Sequence, residues 1–160
     1  MSIGYLSQNG MNRVFEQFAQ YDPNLNQYGF GQLYNENGEP KANQVYPGMW
    51  VNPVNTQVDI YQLTRNYQIL IYDIPFIDDT GSNQNKIISE CEEIAFRLIR
   101  FLRDKSEIFD VTGQPTVTPF TDRFLDDVSG VIIEISVIFN AEESNCEDPD
   151  YSFNIQSNDI

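Results

Sequence analysis

From Asn9 the apolar residues Met11, Val14, Phe15 and Phe18 fall at the spacing of one helical face, with Ser7 or Asn9 as the N-cap and Asp22-Pro23 as the stop. A longer helix is predicted over Asn85 to Arg103, where Ile87, Ile88, Cys91, Ile94, Ala95, Leu98, Ile99 and Leu102 recur every three or four residues. Ser89 with Glu92 forms an alternative capping box that starts this helix later. Leu25 to Tyr34 alternates aromatic and small residues and reads as a weak strand, followed by an exposed loop over Asn35 to Pro40. Tyr46 to Pro53 reads as a strand with a proline near each end, which places it at a sheet edge because proline cannot donate to a ladder.

In Gln62 to Asp73, Leu63, Arg65, Tyr67, Ile69, Ile71 and Asp73 share one face and Thr64, Asn66, Gln68, Leu70 and Tyr72 the other. Its second half is apolar on both sides and therefore central, while its polar first half projects from the body. Phe76 to Asn83 reads as a loop, and Asp110 to Pro115 precedes the next strand-like run. Thr116 to Phe124 has strand content, Leu125-Asp126-Asp127 turns the chain, and Val128 to Phe139 returns as a core strand, with Val131, Ile133, Ile135, Val137 and Phe139 on one face. These elements predict an α+β domain over residues 1–139: an antiparallel or mixed sheet of about four strands with two helices packed on one face. Residues 140–160 are predicted to be an extended, acidic C-terminal arm, with Glu142, Glu143, Glu147, Asp148 and Asp150 ahead of Tyr151, Phe153 and Ile155.

Composition agrees with a single globular unit: 160 residues, 41% hydrophobic and 21% charged. A chain of this length buries on the order of 70% of its unfolded surface and folds without metal or disulfide. Charge changes the picture more. The sum is −15 and the sequence has no histidine, which removes His-based nucleophile pairs, His-ligated metals and any unperturbed titration near neutrality. A pI near 4.1 opposes tight binding to phosphate backbones or anionic lipid. The longest apolar stretches, Ile69 to Tyr72 and Val131 to Ile133, are too short to cross a bilayer, and residues Met1 to Tyr5 lack the basic start of a signal peptide. Cys91 and Cys146 read as thiols of a reducing cytosol.

Candidate chemistry is weak throughout. Asp126-Asp127 with Glu134 or Asp122 is a possible carboxylate site, but adjacent strand residues face opposite ways and a hairpin turn explains the pair. Asp78-Asp79-Thr80-Gly81 lacks the third alternating ligand and closing Glu of a calcium loop. Gly29-Phe30-Gly31 is not followed by the helix of a phosphate-binding turn, and Lys41, Lys86 and Lys105 sit in loops or at helix ends. No catalytic, metal or cofactor-binding residue is expected, and no enzyme.

Surface chemistry says more. Arg97, Arg100, Arg103 and Lys105 put four of nine basic groups on one short segment of an acidic chain, and Glu93 is placed to pair with Arg97. Tyr5, Tyr21, Tyr28, Tyr34, Tyr46, Trp50 and Tyr61 lie in segments too polar for a core, which favours burial against other chains. The partner-binding candidates are Arg97, Arg100, Arg103, Tyr28, Trp50, Tyr151, Phe153 and Ile155.

The order of Leu25-Asn-Gln-Tyr-Gly-Phe-Gly31, Tyr46-Pro-Gly-Met-Trp-Val51, Tyr67-Gln-Ile-Leu-Ile-Tyr-Asp73, the helix from Asn85, and Pro119 to Val131 resembles the small neck and tail-completion proteins of tailed bacteriophages. That family includes tail terminators and head–tail connector components. The resemblance spans about Asn9 to Cys146, and the richness in Asn, Tyr and Ile is similar to phages of gut Bacteroidetes such as the crAss-like group. It implies a homo-oligomeric ring in the virion, made in the host cytoplasm and contacting portal, neck and tail proteins. DNA would pass its lumen without being gripped, and no membrane would be involved. The extension from Asn140 has no counterpart in the pattern. The alternative that the charge permits is an acidic DNA mimic that inhibits a nucleic-acid-binding enzyme.

Overall fold

The structure is a computed structural model, and it describes residues 6–31, 45–75, 83–123 and 128–140. The chain runs α1 (Gln8–Tyr21), β1 (Gln27–Phe30), β2 (Gly48–Val58), β3 (Gln62–Asp73), α2 (Asn83–Arg103), β4 (Asp110–Arg123) and β5 (Val128–Asn140). It is an α+β fold with one mixed sheet in the order β1-β2-β3-β5-β4, in which only β1 and β2 run parallel. The fifth strand is the short β1, on the segment read as a weak strand.

One face of the sheet is packed mainly by apolar odd-numbered residues of β3 and β5. Tyr67, Ile69 and Ile71 of β3 and Val131, Ile133, Ile135, Val137 and Phe139 of β5 form one core with Met11, Phe15 and Phe18 of α1 and Ile87, Cys91, Ile94, Leu98 and Leu102 of α2. Both helices thus share one side of the sheet. Ser7 caps α1 by accepting from the Gly10 N–H at 3.1 Å. The alternative start of α2 at Ser89 does not occur: the helix begins at Asn83, and the Ser89 hydroxyl donates back to the Asn85 carbonyl.

Side chains fasten α1 at both ends. Near its start, Arg65 Nε donates to the Leu6 carbonyl at 3.1 Å, and the Tyr67 hydroxyl donates to Gln8 Oε1 at 2.8 Å. The Tyr28 hydroxyl donates to Asn12 Oδ1 at 2.6 Å. Beyond its end, Asp22 accepts from Arg97 of α2 through both oxygens, Nε at 2.9 Å and Nη2 at 3.2 Å. The Asp22 carboxylate is 2% exposed, so this bidentate pair replaces water that the acid has lost.

The other face alternates glycine with large rings. Gly29 pairs with Trp50, and Tyr72 lies between Gly48 and Gly130, which also faces Phe120. A Cβ on Gly29 would overlap the Trp50 ring, and one on Gly130 would overlap the Ile71 carbonyl. Trp50, Leu70, Tyr72, Phe120, Val128 and Ile132 make a second buried cluster there. Toward the β2–β3 turn this face becomes polar, with Asn66 bonded to Asn55 and Ser136.

Two strand expectations change. β2 is not an edge along its whole length, because β1 covers Gly48 to Val51; from Asn52 onward, where Pro53 and a register shift fall, the outer side carries no described strand. β4 starts ahead of Thr116, at Asp110, so the segment from Asp110 to Pro115 belongs to the strand. Gly113, at φ 66°, and a register shift between Thr112 and Thr116 let β4 bulge and continue, and as the edge strand it tolerates Pro115 and Pro119.

Replacing Arg97 by Ala leaves the Asp22 carboxylate buried and unpaired and is expected to cost about 2–3 kcal/mol of stability, less than a fully buried pair because the arginine is partly hydrated. Gly130→Ala is expected to cost about 1–3 kcal/mol, since backbone and not a flexible side chain must yield. Urea unfolding of both variants checks the two values.

Candidate functional site

An open groove of about 430 Å³ lies between α2 and β4, lined by Phe96, Ile99, Arg100, Arg103, Gln114, Pro115 and Val117. Helical periodicity creates it. Leu98 and Leu102 turn into the core, so Phe96, Arg100 and Arg103 face outward, and the β4 bulge brings Gln114 and Pro115 alongside. Phe96 is 50% exposed, a large apolar ring left facing solvent. Neither Arg100 nor Arg103 has an ion-pair partner among the described residues. Both stand in the last turn of α2, where cations complement the helix dipole.

A second uncovered surface is the tip of the β2–β3 hairpin. Val54, Val58, Ile60 and Tyr61 are more than half exposed there, next to the Asp59 side chain that accepts from the Ile60 N–H. It lies between β2 and β3, whereas the groove lies at the β4 edge, so the two surfaces sit on different parts of the sheet.

The sequence-derived candidates divide accordingly. Arg100 and Arg103 are at the groove. Arg97 is not a free member of that row, because its guanidinium is held by Asp22 and not by Glu93. The i,i+4 ion pair within α2 is instead Lys86–Glu90 at 4.0 Å, which is exposed and worth little. Trp50, expected at an interface, is 8% exposed, and its indole donates to the Gly31 carbonyl at 2.8 Å. Gly29-Phe30-Gly31 therefore serves the indole, one glycine giving it room and the other an acceptor. Tyr28 packs on the main core, and burial, helped by Glu16 and Tyr67, raises its hydroxyl pKa. Of the other tyrosines, Tyr21 and Tyr61 are exposed, while Tyr46 is half-buried and meets the Tyr72 ring edge-on at 5.8 Å. Tyr5, Tyr34, Tyr151, Phe153, Ile155, Asp126 and Asp127 lie outside the described residues, as do the Asp78 to Gly81 stretch and the arm beyond Asn140.

Sequence reasoning did not single out a polar cleft of about 480 Å³ lined by Pro23, Asn24, Asn26, Pro47, Asp73, Glu90, Cys91, Glu93 and Ile94. Among the described residues no group of three or more acids or cysteines is arranged to hold a metal ion. Burial raises the Asp73 carboxyl above its usual range, opposed by the Ile74 N–H and reinforced by Glu90. Burial likewise pushes the Cys91 thiol up to about 12, with Asp73 and Glu90 adding to it. A thiol so placed is inert toward electrophiles at neutral pH. Compared with protein-family models and with curated proteins, the chain matches none.

A raised carboxyl opposes folding once ionised, so its contribution favours the folded state at low pH and is lost as pH rises through its folded-state range. Asp73→Asn keeps the acceptor for Ile74 and is expected to raise Tm at neutral pH, with the gain vanishing in acid, as thermal scans across pH will show. In a Cys146→Ser background, Cys91 is expected to resist alkylation at pH 8 until urea unfolds the chain, read by mass spectrometry.

Proposed function

We propose that the chain is a structural virion protein that forms a homo-oligomeric ring at the portal–tail junction of a tailed phage, steadying the head–tail connection and letting DNA pass. One observation carries this reading: among the described residues the fold leaves two unlike surfaces uncovered, an apolar hairpin tip and a groove whose two arginines have no ion-pair partner. Head-to-tail closure needs two different patches on each copy, whereas a twofold dimer needs only one. The order of elements along the chain supports the same reading, since the resemblance to neck and tail-completion proteins lies in that order. The charge of −15 is compatible with a lumen that DNA crosses, because carboxylates repel phosphate.

The same charge favours a second reading, an acidic protein that occupies a nucleic-acid-binding enzyme. Salt-sensitive inhibition of a DNA-binding protein by the monomer would favour it over the ring.

Sedimentation over a range of concentrations is expected to show assembly into a large closed species, and mass spectrometry of purified virions is expected to find the chain. A stable monomer that binds no portal or neck protein and is missing from virions would overturn the proposal. Val58→Asp with Ile60→Asp is expected to weaken assembly about tenfold or more without changing the circular dichroism, because both side chains are exposed in the single copy.

A further inference from the structure

The groove between α2 and β4 joins an apolar floor, from Phe96, Ile99, Pro115 and Val117, to the guanidinium groups of Arg100 and Arg103. A ligand that satisfies both must bring carboxylates next to aromatic or branched apolar side chains. Simple anions lack the second part, and a plain apolar helix lacks the first.

The chain's own last 20 residues contain that combination: Glu147, Asp148 and Asp150 are followed by Tyr151, Phe153 and Ile155, and no Lys or Arg occurs after Asn140. In an extended segment Tyr151, Phe153 and Ile155 project to one side. Position agrees as well. β5 delivers the chain to Asn140, and Ile138, two residues earlier, pairs with Asp110, the first residue of β4 after α2. The segment therefore starts at the end of the sheet where α2 finishes with Arg103. Twenty extended residues reach roughly 65 Å, enough to cross onto an adjacent molecule of this size.

We propose that this groove is the receptor for the acidic–aromatic segment around residues 147–155 of the next copy, the contact resting on the reading that copies meet head to tail. The arginines hold the carboxylates while Phe96, Ile99 and Val117 take the rings, so each copy is donor on one side and acceptor on the other.

Two full-length variants test it: a groove variant, Arg100→Glu with Arg103→Glu, and a segment variant, Glu147→Lys with Asp148→Lys and Asp150→Lys. Alone, each is expected to assemble about tenfold or more weakly in sedimentation, and an equimolar mixture is expected to recover assembly, because opposite charges again meet across copies. Since carboxylates weaken a helix C-terminus, Arg100→Gln with Arg103→Gln is the second groove variant, expected to fall between wild type and the reversal, with helicity followed by circular dichroism. A labelled synthetic peptide of residues 141–160 is expected to bind the wild-type chain in a salt-sensitive way and not the groove variant. Folded variants that assemble like wild type would overturn the proposal, as would a peptide that binds both chains equally or neither. A mixture that does not recover, while one chain carrying both sets of changes does, would place the segment in its own groove and overturn the contact between copies. A wild-type chain that never assembles ends the ring reading by itself, and peptide binding then decides the groove separately.

Discussion

Burial of one sheet face beneath two helices is the constraint on which everything else in this molecule depends. The side chains of β3 and β5 alternate sides, so placing Ile69, Ile71, Val131, Ile133 and Val137 against α2 fixes the register of both strands at once. A slip of one residue would drive Gln68, Glu134 and Ser136 into the helices, and no partner waits for them there. That register in turn places Arg65 and Tyr67 to bind the start of α1, while the rotation of α2 that buries Leu98 carries Arg97 to Asp22. The polar fastenings follow from the apolar packing.

The same rotation decides what remains available for contact. With Ile94, Leu98 and Leu102 inward, Phe96, Arg100 and Arg103 have no choice but to face out, and the bulge in β4 supplies the facing wall of a groove. A cationic and apolar recess on a strongly acidic chain is a local exception to the global field. Like-charged copies approach each other with repulsion almost everywhere else, so such an exception fixes orientation as well as attraction.

Much of this was legible in the sequence, because periodicity and burial are the same information. The helical stripes and the two long core strands follow from spacing alone. What escaped depended on long-range geometry. Asp22 reads as a helix stop, and nothing local says that its carboxylate will meet Arg97, 75 residues later. Trp50 sits among Asn, Gly and Pro and reads as surface; only the register with Gly29 reveals a slot for its ring. Gly113 looks like a turn former but leaves β4 intact as a bulge. Glycine inside a strand pattern was the available signal in the last two cases. The groove was half visible, as a basic row; its apolar floor required knowing which strand lies next to α2.

The alternation of glycine and ring on the sheet's far side also has an evolutionary reading. Gly29 with Trp50, and Gly48 with Tyr72, divide a fixed volume between neighbours, so neither member of a pair is free to grow unless the other shrinks. In chains that descend from a common ancestor with this one, such positions are bound to drift as couples, and their covariation would betray the strand order even where overall identity has faded.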